Sequence, residues 1–381
     1  MEYGNILYPS TLLNETGNTT NVSAYDDYEY TPELYVETWL VPTIFALICL
    51  VGVAGNSMVI VVILRHKQMK TTTNFYILSV AIVDLAFLVC CVPFTVFALI
   101  TEWFFGDFMC KFSYYLIFVT VQANCFTLTA MTVDRYFAIV HPMASISRRS
   151  PKVVLVVSIA IWLVAGTTNV PVALYRKVMY INWFGTQADP YCMEEWPDET
   201  WQLMFFIYGF VAAYCAPLIV IIFCNCLVVR NMWKSSNLKE NSEVSGRQRL
   251  WHQRRARTTR MICVVAILFG VSWLPTHILA ILARIFPEHF DGNQVTYALQ
   301  LSSNCLAYSN SCMNPFVYAF MGSNFRKCFK EVFSNVFHRH RYRGATLVLS
   351  ECQDSGPNDE TLPMTKVERQ RRLVSMSKSR K

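Results

Sequence analysis

CKFSYYLIFVTVQANCFTLTAMTVDRY, residues Cys110 to Tyr136, decides how this chain is read. From Phe112 to Val133 it carries no Asp, Glu, Lys or Arg, and an apolar run of roughly 18 residues or more is long enough to cross the hydrocarbon of a bilayer as a helix. The run then ends on three polar residues, Asp134, Arg135 and Tyr136. Adjacent Asp and Arg can pair through a charge-assisted bond that holds the guanidinium sideways, and breaking that pair frees a permanent cation at the membrane edge.

Six more runs of the same kind flank it, giving spans near 40–64, 74–100, 109–133, 153–175, 203–229, 261–286 and 297–320. The whole chain is 54% hydrophobic and 15% charged, where a soluble domain has about 25% charged residues. The seventh run is the most polar, with Ser302, Ser303, Asn304, Ser309, Asn310, Ser311 and Asn314. Such a helix is acceptable in a membrane if that face points into a bundle. The expected fold is an all-α membrane protein, a seven-transmembrane helix bundle.

Orientation follows from the short loops, because positive residues stay on the cytoplasmic side. Arg65, Lys67 and Lys70 follow span 1; Arg148, Arg149 and Lys152 precede span 4; Arg254, Arg255, Arg257 and Arg260 precede span 6. Residues 1–38 hold several acids and no Lys or Arg, and their sequons at Asn14, Asn18 and Asn21 fit an extracellular, glycosylated leader without a cleavable signal. The bundle is expected over 39–320. At 321–334 a short amphipathic helix lies along the inner membrane surface, with Phe325, Phe329 and Phe333 on one face. A disordered cytoplasmic tail over 335–381 offers Ser350, Ser355, Thr361, Thr365, Ser375, Ser377 and Ser379 for phosphorylation. Topology and anionic lipid account for the net charge of +7 better than nucleic acid does.

Only two cysteines, Cys110 at the start of span 3 and Cys192 in the acidic loop before span 5, should reach the outer face. A disulfide between them would tether that loop over the bundle mouth, the alternative being two free thiols. Inside the spans, a polar group at membrane depth needs a partner or a task. Asn56, Asp84, Asn124, Asn310 and Asn314 could surround water or a small cation such as sodium, or join helices to one another. Phe269, Trp273 and Pro275 in span 6, and Asn314-Pro315 through Tyr318 in span 7, put prolines where a helix must bend, either as a pivot or as static packing.

These elements, in this order, resemble the rhodopsin-like G-protein-coupled receptors across residues 39–333. The likeness rests on Gly55-Asn56, Asp84, Cys110, Asp134-Arg135-Tyr136, Trp162, Pro217, Ser272-Trp273-Leu274-Pro275 and Asn314-Pro315 through Tyr318. Thr73 to Ile77, Cys90 to Thr95, Gly106 to Phe112 and Thr127 to Met131 look most like kisspeptin receptors, with galanin and allatostatin-A receptors close by. The resemblance implies a short amidated peptide ligand at the plasma membrane and a heterotrimeric G protein inside, of the Gq class for the kisspeptin branch and of the Gi class for galanin. It also implies arrestin and receptor kinases acting through the tail, membrane lipid around the bundle, and no enzymatic chemistry. Asp134, Arg135, Tyr136, Asn314, Pro315 and Tyr318 would form the coupling switch.

Three departures stand out. Asn225 replaces a tyrosine that many relatives place in span 5, Asn124 replaces a hydroxyl residue near Asp84, and Arg255 stands where rhodopsin has an acid facing Arg135. Ile117 gives amines no counter-ion and Tyr308 gives retinal no Schiff base. Acidic and aromatic residues at the mouth suit a cationic, aromatic peptide end, so the expected pocket is Gln122, Glu194, Glu195, Trp273, His277 and Tyr308. A channel or transporter would instead show internal repeats and broken helices at midplane.

Overall fold

The computed structural model describes residues 32–145, 149–181, 188–237, 246–290, 293–322 and 325–332. The three sequons, Phe333 and the phosphorylatable tail positions lie outside them. The chain divides into two units, Met1–Phe329 and Lys330–Lys381. In the second, residues 330–332 are helical. All that follows concerns the first.

Span 1 is the helix Pro32–Arg65; span 2 joins Thr72–Cys90 to Val92–Ile100; span 3 is Gly106–Val140; span 4 joins Pro151–Thr168 to Val170–Tyr175. Span 5 joins Glu199–Tyr208, a wider π turn at Gly209–Cys215, and Ala216–Asn237; span 6 is Gly246–Ile285 and span 7 is Gln294–Met321. Among the described residues, six helices are long and apolar enough to cross a membrane. The remaining one, span 7, is long but more polar. Its Ser303, Asn304, Asn310, Ser311 and Asn314 are all buried, which reconciles its composition with a bundle in lipid.

Local chemistry sets the helix ends. The Thr71 hydroxyl accepts from Asn74 N, Ser150 accepts from Val153 N ahead of Pro151, and Asn293 accepts from Val295 N and Thr296 N; each satisfies donors that a helix start leaves open. Spans 2 and 4 break at Cys91 and Asn169, two residues before Pro93 and Pro171, because proline has no N–H to continue the ladder. In span 5 the extra residue of the π turn sits just ahead of Pro217, and Ala216 N bonds back to Val211 O.

Several spans are longer than their apolar runs. Span 1 begins at Pro32, span 3 continues to Val140, span 5 continues to Asn237, and span 6 begins at Gly246, well before the hydrophobic signal at 261. These charged extensions keep their backbone bonds internally, so hydropathy alone does not reveal them. Span 3 touches spans 2, 4, 5 and 6, while spans 1 and 7 close the ring. Spans 1 and 7 come close at Gly55, where an added Cβ would come within 2.9 Å of Pro315.

Between spans 4 and 5 the chain forms an antiparallel hairpin, β1 (Arg176–Ile181) and β2 (Asp189–Glu194), whose register sets Arg176 opposite Glu194 and Val178 opposite Cys192. Cys110 and Cys192 are joined by a disulfide with their Cα atoms 5.6 Å apart. Gly106, at φ 75°, starts span 3 from a left-handed conformation that L side chains rarely adopt. Its carbonyl accepts from Trp103 Nε1 at 2.9 Å, and Trp103 N donates to Pro190 O at 2.7 Å, so the first loop is also tied to the hairpin.

Candidate functional site

Three sites lie along the bundle. Beneath the hairpin, a cavity of about 50 Å³ runs among spans 3, 4, 5 and 6. Phe118, Phe205, Phe206, Tyr214 and Phe269 make its aromatic wall. The π turn matters here, because the shifted helix carries Tyr208, Gly209, Ala213 and Tyr214 onto the lining. Gln122 Oε1 accepts from Asn169 Nδ2 at 2.6 Å and from the Thr168 hydroxyl at 3.0 Å, which joins span 3 to the break in span 4. That leaves the buried Gln122 Nε2 without a partner, and His277 Nε2 is in the same condition. Buried polar atoms without partners are costly, and these two line one cavity.

Gln122 and His277, two of the six expected pocket residues, both line this cavity. The other four expected residues, Tyr308, Trp273, Glu194 and Glu195, do not line it. Tyr308 is 1% exposed and packs edge-on against Phe45 and Phe87, with its hydroxyl 3.4 Å from that of Thr95. It fills the space among spans 1, 2 and 7, where burying its ring against two others is favourable. Trp273, packed on Phe87 and Phe269, belongs to the core next to the pocket. Glu194 is not an open acid at all.

Glu194 lies between two arginines. Arg176 Nη2 donates to its Oε1 at 2.5 Å and Arg284 Nη2 to its Oε2 at 3.4 Å, while Trp196 Nε1 and Gln202 Nε2 each donate at 3.0 Å. All three charged side chains are at most 7% exposed. The guanidiniums also stack on aromatic faces, Arg176 at 3.7 Å from the Tyr114 ring centre and Arg284 at 3.2 Å from that of Phe206. Burial by itself would raise the Glu194 pKa; the two cations and the two neutral donors outweigh it and hold the carboxyl down at about 2. Glu195 is half exposed and faces Lys177. Arg176 and Arg284 went unnoticed in the sequence, although Arg284 inside an apolar run was a legible demand for a partner.

At mid-depth Asp84, fully buried, collects three donors. Asn124 Nδ2 and the Ser311 hydroxyl reach Oδ1 at 2.8 and 3.0 Å, and Asn314 Nδ2 reaches Oδ2 at 2.8 Å. Asn56 Nδ2 instead donates to Ser311 O at 2.9 Å, so it joins the cluster through span 7. The amide oxygens of Asn56, Asn124, Asn310 and Asn314 are buried without a donor. Asn124 and Asn314 thus keep spare buried amide oxygens next to the donors they give Asp84, and because side-chain amides can turn to present either atom, the carboxylate with these two amides is a donor set that suits a small hard cation or water. Ser311 was missed because a serine in a helix usually bonds to its own backbone.

At the far end the expected Asp134–Arg135 pair is absent. Asp134 instead forms a two-pronged pair with Arg149, from Nε and Nη2 at 2.8 Å each. Neighbouring helix residues point about 100° apart and do not face one another, so Asp134 turns to the loop before span 4 while Arg135 turns inward. Arg135 Nε is buried without a partner. The Tyr136 hydroxyl lies 3.1 Å from His141 Nε2. Pro275 and Pro315 both lie inside continuous helices. The Tyr214 hydroxyl donates to Gly270 O, linking the π turn of span 5 to span 6 just before its proline. Tyr318 is fully buried against Phe325. Phe325 and Cys328 are buried and Phe329 half-buried, which moves the packed face of the short last helix toward Cys328.

Comparison with known proteins matches residues 55–318 to the family described as 7 transmembrane receptor (rhodopsin family). The chain is 38% identical over 342 residues to G-protein coupled receptor 54 of Oreochromis niloticus, covering 88% of this chain and 90% of that one. It is 38% identical over 304 residues to the KiSS-1 receptor of Homo sapiens, with coverage of 78% and 75%, and 36% identical over 337 residues to galanin receptor type 1 of Homo sapiens, with coverage of 87% and 90%.

Proposed function

The chain belongs to the rhodopsin family of seven-transmembrane receptors, a multi-pass membrane receptor and not an enzyme, and from that premise we propose that its ligand is a short amidated peptide of the kisspeptin kind. Membership sets aside the channel and transporter readings. A heterotrimeric G protein is the cytoplasmic partner that the family implies.

One observation carries the ligand reading. The aromatic pocket under the hairpin holds two buried polar atoms, Gln122 Nε2 and His277 Nε2, that lack partners, so a ligand with an aromatic side chain beside backbone or terminal amide groups would bury its ring and satisfy both. The relatives named KiSS-1 receptor and galanin receptor type 1 support a ligand of the kisspeptin or galanin kind. The amino end lies outside the cell and Arg135 faces the cytosol. Repacking of the pocket is passed through Tyr214 and Trp273 to the inner half of span 6, which pivots at Pro275 and opens Arg135 to the G protein. The Gq class fits the kisspeptin branch. A galanin-like or allatostatin-A-like peptide acting through Gi is the second reading, supported by the 36% identity to galanin receptor type 1. Asp84 with Asn124 and Asn314 would hold a sodium ion, and tail phosphorylation by receptor kinases would recruit arrestin.

Calcium and cyclic-AMP assays with kisspeptin-like, galanin-like and allatostatin-A-like amidated peptides test this. A kisspeptin-like peptide is expected to raise calcium, Gln122→Ala and His277→Ala each to lower its potency about tenfold, the factor that one net hydrogen bond controls, and Arg135→Ala to reach the cell surface uncoupled. Silence to the kisspeptin-like peptide together with a cyclic-AMP fall to a galanin-like one would overturn the assignment.

A further inference from the structure

The last four carbonyls of any helix have no partner within it, and the inner end of span 3 shows where two of them go. The helix stops at Val140. Phe137 O is taken by His141 N at 3.1 Å. Ala138 O, in contrast, accepts from Arg255 Nη2 of span 6 at 2.6 Å, and Ile139 O accepts from Asn231 Nδ2 of span 5 at 3.3 Å. Two successive carbonyls at the end of one span are thus capped by side chains from two others.

We infer that Arg255 and Asn231 form a helix-end latch, holding the inner ends of spans 5 and 6 on span 3 and keeping the receptor quiet without ligand. Three features give the contact that function. The end of a helix carries a partial negative charge of about half an electron, so a guanidinium is the side chain most favoured there. Ala138 and Ile139 are only 4% and 6% exposed, so water does not cap these carbonyls while the spans are together. The latch also uses backbone oxygens, which needs no acid on either helix. It accounts for an arginine at a position where a carboxylate would be needed to hold Arg135 directly. When the inner half of span 6 swings away, water takes over the same carbonyls. The net cost of opening is then small enough for a ligand to overcome. Arg255 and Asn231 act as positioning residues, since they work through the placement of spans 5 and 6 around Arg135.

This inference rests on the receptor reading above, and two readouts separate their failures. Spin labels introduced by M143C and R257C, in a background where Cys226 and Cys352 are serine, measure the separation of the short helix Pro142–Ser145 that follows span 3 from the inner end of span 6 in purified full-length receptor without ligand or G protein. Met143 is 84% exposed and Arg257 is also on the surface, so neither label disturbs packing. R255A and N231A are expected to lengthen that distance and the double variant to lengthen it most, while R255K, which keeps a cation at the helix end, stays near the parent. In membranes with purified G protein, R255A is expected to raise ligand-independent nucleotide exchange roughly tenfold, the change produced by about 1.4 kcal/mol. Unchanged distances in R255A and N231A would overturn the latch, even if exchange fell because Arg255 met the G protein instead. Longer distances with no exchange on any G protein class would keep the latch and overturn the coupling assignment.

Discussion

The two ends of this bundle treat their charges in opposite ways. At the hairpin end Glu194 is enclosed by Arg176 and Arg284, both arginines lie on aromatic rings, and the strand that carries Glu194 is bonded covalently to span 3. At the loop end Asp134 pairs with a partly exposed Arg149, Arg135 keeps an unpartnered Nε, and Arg255 caps a carbonyl. Buried charges whose partners are fixed and desolvated resist exchange, whereas a pair at the water's edge can trade partners at little net cost. The outer end is built to hold one shape; the inner end is built from contacts that water or a protein can replace.

Removing the outer acid should give the largest effect. Glu194→Ala leaves two buried guanidiniums without their shared anion, and breaking a buried pair in this way costs about 3–5 kcal/mol. Surface expression and thermal stability in detergent should both collapse, and a variant that folds and binds normally would show that the outer cluster is not the fixed element claimed. Cys110→Ser comes next, at about 2–4 kcal/mol for a link that closes an 82-residue separation; its signature is loss of ligand binding before loss of the seven-span fold.

Acid should weaken the outer end more gently than either substitution. The folded-state pKa of Glu194 is held at about 2, below the ordinary glutamate value of about 4.3. Its contribution is therefore complete above the unfolded value and is lost as pH falls from roughly 5 toward 2. Melting temperature measured across that range should drop in the parent receptor and drop less in Glu194→Gln.

Arg149→Ala should have the smallest effect on stability, at about 1 kcal/mol or less because the pair is partly exposed. Its effect should appear in signalling, as altered basal coupling at unchanged surface level. A loss of stability as large as that of Glu194→Ala would erase the contrast between the two ends.

Much of the fold was legible because the information is local. Each apolar run states by its length that it crosses a bilayer, and Cys110 and Cys192 were the pair of cysteines expected at the outer face. The overhangs of spans 3 and 6 were less legible, since a charged helix in water looks like a loop to a hydropathy pattern. Within the sites, Asp84, Asn124 and Asn314 declared themselves as polar groups at membrane depth. Ser311, the π turn at Gly209–Cys215 and the arginines around Glu194 did not, because their roles depend on which way a helix is turned. Glu194 and Arg284 are 90 residues apart in the chain, and nothing nearby in sequence connects them.

The amino-acid order thus determined which segments enter the membrane, which ends are capped and which polar groups are carried inside, because a bilayer offers no hydrogen-bond partners and so makes these demands of each segment separately. Only the tertiary structure decided that Asp134 meets Arg149 rather than Arg135, that Glu194 is neutralised, and that Arg255 caps span 3. Those outcomes depend on the rotation and depth of several helices packed at once, a property that no single segment holds.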